Sequence, residues 1–131
     1  MSVETRRVEP SDYVEIEKWW KHRGRDDALP CHIFSDLGFI VPGICVVFLY
    51  ATNSKIAFIE NLQANPLVPH HRRTLALNAV IQAVCETARD LGYTHLLGTT
   101  SIGAVCQRAK HFGGHVVEGM SLIVVPLSPS E

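Results

Sequence analysis

No two cysteines of this chain are spaced C-x-x-C, no apolar run is long enough to cross a bilayer, and neither sign of charge dominates. Cys31, Cys45, Cys85 and Cys106 lie far apart, three of them inside apolar strand or helix patterns where a thiol packs as a small hydrophobe. A disulfide framework and a dithiol redox motif are therefore excluded, and reduced, structural cysteines are expected. The longest apolar run, Ile44 to Ala51, falls far short of the roughly 20 residues of a membrane helix. The opening residues, Met1 to Arg7, have no apolar core like that of a signal peptide, so a soluble cytoplasmic protein is expected. Twelve Lys and Arg against 13 Asp and Glu give a formal charge of -1. The basic residues are scattered apart from Arg6-Arg7, Arg23-Gly24-Arg25 and Arg72-Arg73, which argues against a nucleic-acid surface. Seven histidines form no metal set: His70 and His71 point apart on an extended loop, and Gly113-Gly114 breaks helical geometry between His111 and His115. Internal repeats and low-complexity tracts are absent too.

What is present is a chain of 131 residues, 47% hydrophobic, with the length and composition of one compact domain spanning residues 1–131. A short alternating segment, Val3 to Val8, precedes Pro10-Ser11-Asp12, a helix start. Tyr13, Ile16 and Trp20 then recur at helical spacing through about His22. Arg23 to Asp36, with Gly24 and Pro30, is a loop or contains a short helix. Three strands follow at Gly38 to Val41, Ile44 to Ala51 and Lys55 to Gln63. The turns between them, Pro42-Gly43 and Thr52-Asn53-Ser54, are so short that the strands must form an antiparallel meander. A long helix is predicted from Arg72 to Leu91, with Leu77, Val80, Ile81, Val84, Ala88 and Leu91 as its apolar stripe and Gly92 as its C-cap. A strand at Thr94 to Thr99, a helix at Ser101 to Phe112 ended by Gly113-Gly114, and strands at His115 to Val117 and Met120 to Leu127 complete the order β-α-β-β-β-α-β-α-β-β.

The junction between the strand ending near Gln63 and the long helix is the candidate site. A helix N-terminus leaves backbone N–H groups unsatisfied and carries partial positive charge, which suits a phosphate. The main cleft of the molecule is expected there, between the strands that end near Gln63 and Thr99. Asn61 and Asn65 either flank an opening of the strand at that cleft, or Asn65-Pro66 simply closes the strand with an Asx turn. Either Thr99, Thr100 and Ser101 line the cleft, or Thr100 or Ser101 caps the next helix. Trp19 and Trp20 either form an acceptor pocket or enter the core.

Three segments carry a resemblance that spans nearly the whole chain: T-N-S-K-I-A-F-I-E-N-L-Q-A-N-P (Thr52 to Pro66), A-R-D-L-G-Y (Ala88 to Tyr93) and T-T-S-I-G-A-V-C-Q-R-A-K-H-F-G-G (Thr99 to Gly114). With the element order, they resemble the GNAT family of acetyl-CoA-dependent N-acyltransferases. The wording of the first segment also resembles small GNAT-like proteins carried by tailed bacteriophages. The resemblance implies an α/β (α+β) fold with a mixed, mostly antiparallel central sheet flanked by helices. It implies acetyl transfer from acetyl-CoA, as co-substrate, to an amine acceptor. A catalytically degenerate GNAT-like phage protein is the alternative, an interaction or virion-associated component in the host cytoplasm or the virion, partnered by virion proteins or by a second copy as a homodimer.

Site residues follow from the same resemblance. The family's pyrophosphate loop, Q/R-x-x-G-x-G/A, corresponds to Arg72 to Asn78. Leu75 and Leu77, or Ala76 and Asn78, then stand at its glycine positions, and Arg72, Arg73, Thr74, Leu75, Ala76 and Leu77 become cofactor-binding candidates. The main chain of Leu62, Gln63 and Ala64 would pair with the pantetheine amides. Glu60, the only acid on the central strand, is either the base that deprotonates the amine or a carboxylate on a solvated face. Ala109 occupies the position of the family's tyrosine acid, so Tyr93 or a water would have to replace that acid.

Overall fold

The computed structural model describes residues 3–24, 29–100, 103–120 and 125–127. The chain clusters into two compact units, Met1–Gly98 and Thr99–Glu131. In the first, the elements are β1 (Arg6–Arg7), α1 (Tyr13–His22), β2 (Leu37–Val41), β3 (Cys45–Tyr50), β4 (Ile56–Ala64), α2 (His70–Asp90) and β5 (His95–Leu97). They form a five-stranded sheet in the order β1-β2-β3-β4-β5, antiparallel throughout except for the parallel pair β4 and β5. The predicted meander is β2-β3-β4, with Gly43 at φ 80 in its first turn, a conformation that glycine adopts without steric cost. The fold is thus the mixed, mostly antiparallel sheet with flanking helices.

Both faces of the sheet are covered. α2 lays Ala76, Val80, Val84 and Ala88 against Phe39, Val41, Cys45, Val47, Leu49, Ala57 and Ala64. α1 buries Ile16, Trp19 and Trp20, spaced i, i+3, i+4, against Ile40, Val46 and Phe48 on the other face. Trp20 meets Phe34 edge to face at 5.6 Å, and Phe34 meets Phe48 at 5.1 Å, so both tryptophans belong to the core and neither opens an acceptor pocket. Covered on both sides, β3 reads as a continuous apolar run instead of alternating.

α2 ends in a Schellman motif. Tyr93 N–H donates to the Ala88 carbonyl and Gly92 N–H to Arg89, both at 3.0 Å, with Gly92 at φ 93. Leu91, expected in the apolar stripe, is 56% exposed because it sits at the cap, beyond the last full turn against the sheet.

The second unit contains α3 (Gly103–His111), closed by the same motif: Gly114 N–H donates to Ala109 and Gly113 N–H to Lys110. The strand expected at His115 to Val117 does not form, and Met120 and Val125 to Leu127 are likewise non-strand; residues 121–124 of that segment lie outside the described residues. Ser101, a candidate cap of α3, and residues 25–28 of the loop after α1 also lie outside them.

One ion pair anchors the N-terminal segment. Arg6 donates to both carboxylate oxygens of Asp12 at 2.8 and 2.9 Å, and Glu9 N–H adds a third bond at 2.8 Å. The Arg6 hydrogen bond, with smaller help from Glu9 N–H and the Arg6 charge, holds the Asp12 carboxyl below its ordinary 3.8. A carboxylate whose pKa falls on folding stabilises the native state above its unfolded pKa and loses that contribution as pH drops through the folded value. Asp12→Asn is therefore expected to destabilise at neutral pH, with the gap to the parent closing once pH falls below 3.8. Parallel denaturation curves as a function of pH measure this, and a gap independent of pH would assign the loss to packing.

Candidate active site

β4 organises the site. Val46 faces Gln63 whereas Phe48 faces Glu60, so two steps along β3 match three along β4 and one extra residue must be accommodated. Asn61, at φ 61 the one non-glycine residue with positive φ among those described, absorbs it as a β-bulge. Asparagine tolerates this left-handed geometry better than a branched side chain would. The Tyr50 hydroxyl donates to Asn61 Oδ1 at 2.5 Å and ties β3 to the bulge.

Residues directly opposite across a sheet share a face. Glu60, opposite Phe48, and Gln63, opposite Val46, thus lie on the α1 face, whereas Ala57, Ile59, Leu62 and Ala64 join the α2-side core. Burial raises the pKa of Tyr50, and the charge of nearby Glu60 adds to that rise against a Ser35 backbone bond that lowers it. Tyr50 is consequently a neutral phenol at pH 7, beside a carboxylate at a strained bulge. Sequence reasoning did not select it, because its partner Asn61 reaches it only through the bulge.

Beyond Phe58 paired with Leu97, β4 and β5 part. A Cβ on Gly98 would stand 2.6 Å from the Ile59 carbonyl oxygen, so the backbones touch at that point, and only glycine permits it. From Ile59 to Ala64 the outer edge of β4 then has no strand partner among the described residues. Phe58 and Leu97, exposed at 40% and 49%, share the α1 face at the point of divergence.

The strand closes in an Asx turn. Leu67 N–H donates to Asn65 Oδ1 at 3.0 Å, and Asn65 Nδ2 donates to the Gly43 carbonyl at 3.1 Å. Pro69 caps α2, which begins at His70, two residues before the expected start. Arg72 and Arg73 therefore lie in the first helical turn, and their N–H groups both donate to the Pro69 carbonyl. The N–H groups left facing the gap are those of His70 and His71, with no acid in the first turn and no side-chain cap. Leu75, Ala76 and Leu77 are placed differently from expectation: their N–H groups lie within the helix, Ala76 is fully buried and Leu77 packs on the sheet core. Thr74 is half-buried one turn in.

Tyr93 stands apart from these residues. Its hydroxyl donates to the Thr52 carbonyl at 2.7 Å and accepts from Thr52 N–H at 2.8 Å, which locks the β3–β4 turn. That turn is at the far end of α2, a helix of 21 residues and hence about 30 Å long. A shallow groove of about 200 Å³ lies on α2, lined by Val3, Thr5, Ala79, Gln82, Ala83 and Glu86. Among the described residues no three His, Cys, Asp or Glu side chains gather as a metal set, and no helix is long and apolar enough to cross a membrane.

No protein-family profile matches the sequence, and no curated protein matches it. Solved structures do. An acetyltransferase from Trypanosoma brucei superposes with a TM-score of 0.65 at 15% identity, over 93% of this chain and 99% of its own. A Mycobacterium tuberculosis protein solved in complex with CoA gives 0.70 at 15% identity, over 92% of this chain and 76% of its own. The chain has the GNAT acetyltransferase fold. An aminoglycoside acetyltransferase from an uncultured soil metagenomic sample shares it, with a TM-score of 0.64 at 9% identity over 95% of this chain. At such identities the likeness carries architecture, and the chemistry has to be argued from side chains.

Proposed function

We propose that this protein is an N-acyltransferase that moves an acetyl group from acetyl-CoA to an amine acceptor. The observation that carries the reading is the open edge of β4 from Ile59 to Ala64, which begins at a glycine-pinned divergence from β5 and ends at an acid-free helix N-terminus. An extended amide chain can pair with such an edge as an added strand, and a pyrophosphate can meet the helix end. Two buried donors support the fit: Gln63 Nε2 and Arg73 Nε have no acceptor among the described residues. A buried donor left unpaired costs about 1–3 kcal/mol, which a bound anion would relieve.

In this reading Arg72, Arg73 and the N–H groups of His70 and His71 hold the pyrophosphate, and the main chain of Leu62, Gln63 and Ala64 pairs with the pantetheine. Glu60 accepts the proton of the amine, directly or through water, so that the free nitrogen attacks the thioester carbonyl; the C–N bond forms as the C–S bond breaks. The departing thiolate takes a proton from water, since the Tyr93 hydroxyl is committed to Thr52 and the Tyr50 hydroxyl to Asn61. Phe58 and Leu97 wall the acceptor side.

Binding to the native state alone raises apparent stability, so acetyl-CoA is expected to shift the thermal midpoint upward in a concentration-dependent way. Replacing Arg72 and Arg73 together by alanine should weaken that affinity by about 1.5–3 kcal/mol. No shift with acetyl-CoA would remove the cofactor site. Leucines at positions 75 and 77, alanine at 109 and the structural use of Tyr93 favour a second reading, a degenerate GNAT-like phage component that binds partner proteins. That reading requires that no amine yield CoA thiol above background.

A further inference from the structure

Arg23 is the residue that neither the sequence motif nor the fold likeness explains. It caps the C-terminus of α1, yet its Nε and Nη2 atoms reach across 41 residues of sequence to the Ala64 carbonyl oxygen, at 3.4 and 3.1 Å. Asn65 N–H donates to the Ile44 carbonyl at 2.7 Å, so the next pair, Ala64 with Cys45, is a non-hydrogen-bonded one and the Ala64 carbonyl belongs to the outward edge of β4. One neutral carbonyl is also a poor partner for a guanidinium, whose fork suits the paired oxygens of a phosphate or carboxylate. No carboxylate among the described residues is paired with Arg23 or Arg73.

The surroundings are built of donors. Burial and, second, the charge of neighbouring Arg73 push the Arg23 guanidinium below its ordinary pKa, so the two cations stand close together. Gln63, next to Ala64 in β4, is only 7% exposed, and among the described residues neither its Nε2 nor the buried Arg73 Nε has an acceptor. The amide Nε2, two guanidinium groups and the first turn of α2 together offer several N–H donors, an arrangement that fits an anion with several oxygens.

We propose that Arg23 is an exchangeable latch: it rests on the Ala64 carbonyl in the free protein and leaves it for the phosphate of a ligand whose amide takes that carbonyl. Arg23 is then the residue that makes the site demand a phosphorylated ligand. It excludes a neutral amide by covering the edge of β4, and admits an amide joined to a phosphate because the phosphate offers the guanidinium a better partner. The identity of that ligand as a CoA thioester rests on the function proposed above; the anion site and the latch do not.

Calorimetric titration of the full chain with CoA, with pantetheine and with inorganic pyrophosphate separates these claims, pantetheine being followed by ligand-observed NMR if weak. Arg23→Gln is expected to weaken CoA and pyrophosphate about tenfold, the scale of one hydrogen bond to a charged group, and to strengthen pantetheine by uncovering Ala64. Arg23→Lys, which keeps the charge and loses the fork, should fall between parent and Arg23→Gln for pyrophosphate; it also decides the matter should Arg23→Gln fail to fold. Equal weakening of CoA and pantetheine, or no change in either, overturns the latch and leaves the acyltransferase standing. Arg23-dependent binding of pyrophosphate by a protein that ignores CoA keeps the anion site and discards the acyltransferase. A parent protein that binds none of the three probes overturns both.

Discussion

Glu60→Gln is expected to lower acetyl transfer by about 10²- to 10⁴-fold, the usual worth of a positioned acid or base, while CoA affinity stays at the parent value. The split follows from the geometry. Glu60 lies on the α1 face opposite Phe48, one residue before the bulge, whereas the proposed phosphate contacts lie past Ala64, at the end of the strand and the first turn of α2. Glutamine retains the shape and hydrogen-bonding reach of the side chain but cannot accept the proton of an ammonium. The loss should therefore appear in kcat, with little change in the titration of cofactor. Thiol release measured against polyamines, peptides and aminated nucleosides, with parent and variant side by side, is the deciding measurement. Turnover unchanged by the substitution would remove Glu60 from the chemistry and leave it as a charge that perturbs Tyr50. Thermal midpoints of the two proteins control for folding, since Glu60 is half-buried.

The parts of this architecture that were legible in the sequence are those fixed by local rules. Two-to-three-residue turns at Pro42-Gly43 and Thr52-Asn53-Ser54 leave a chain no option but antiparallel neighbours, and the i, i+4 recurrence of Val80, Val84 and Ala88 defines the face of α2 whatever it packs on. Gly92 and Gly113 mark Schellman ends for the same reason, each taking positive φ after a helix. What stayed hidden depends on long-range geometry. The bulge at Asn61 exists because β3 and β4 must stay paired on both sides of it, and no dipeptide signal announces it. The early start of α2 reflects Pro69, whose extended ψ of 147 sets up the first turn. Mistaking that start moved the free N–H groups from His70 and His71 to the residues after Arg73. Tyr93 was plausible as an acid on chemistry alone; its contacts with Thr52 show that its hydroxyl holds a turn. In the sequence Arg23 is only one of a pair of arginines around a glycine, because nothing local connects the end of α1 to the end of β4.

Gly98→Ala is expected to destabilise the fold by about 1–3 kcal/mol, the cost of overpacking a tight contact, and to weaken or abolish acetyl-CoA binding. The added Cβ would lie 2.6 Å from the Ile59 carbonyl oxygen and 3.2 Å from Ile59 Cγ2. A flexible side chain could turn aside from such a clash, but a strand carbonyl cannot move alone. Relief requires β4 and β5 to separate earlier, at Phe58 and Leu97, which would widen the mouth of the proposed cofactor groove and displace the edge on which the pantetheine is meant to pair. Gly92→Ala is the matching control. It too should cost about 1 kcal/mol, because alanine resists φ 93, yet nothing lies within 4 Å of the new methyl and the change is at the far end of α2. Denaturant midpoints and acetyl-CoA titrations on both variants separate the two effects: destabilisation in each, with loss of binding confined to Gly98→Ala. Should Gly98→Ala retain full stability and affinity, β4 and β5 are not pinned at Ile59, and the open edge beyond it would lose its role as the seat of the cofactor.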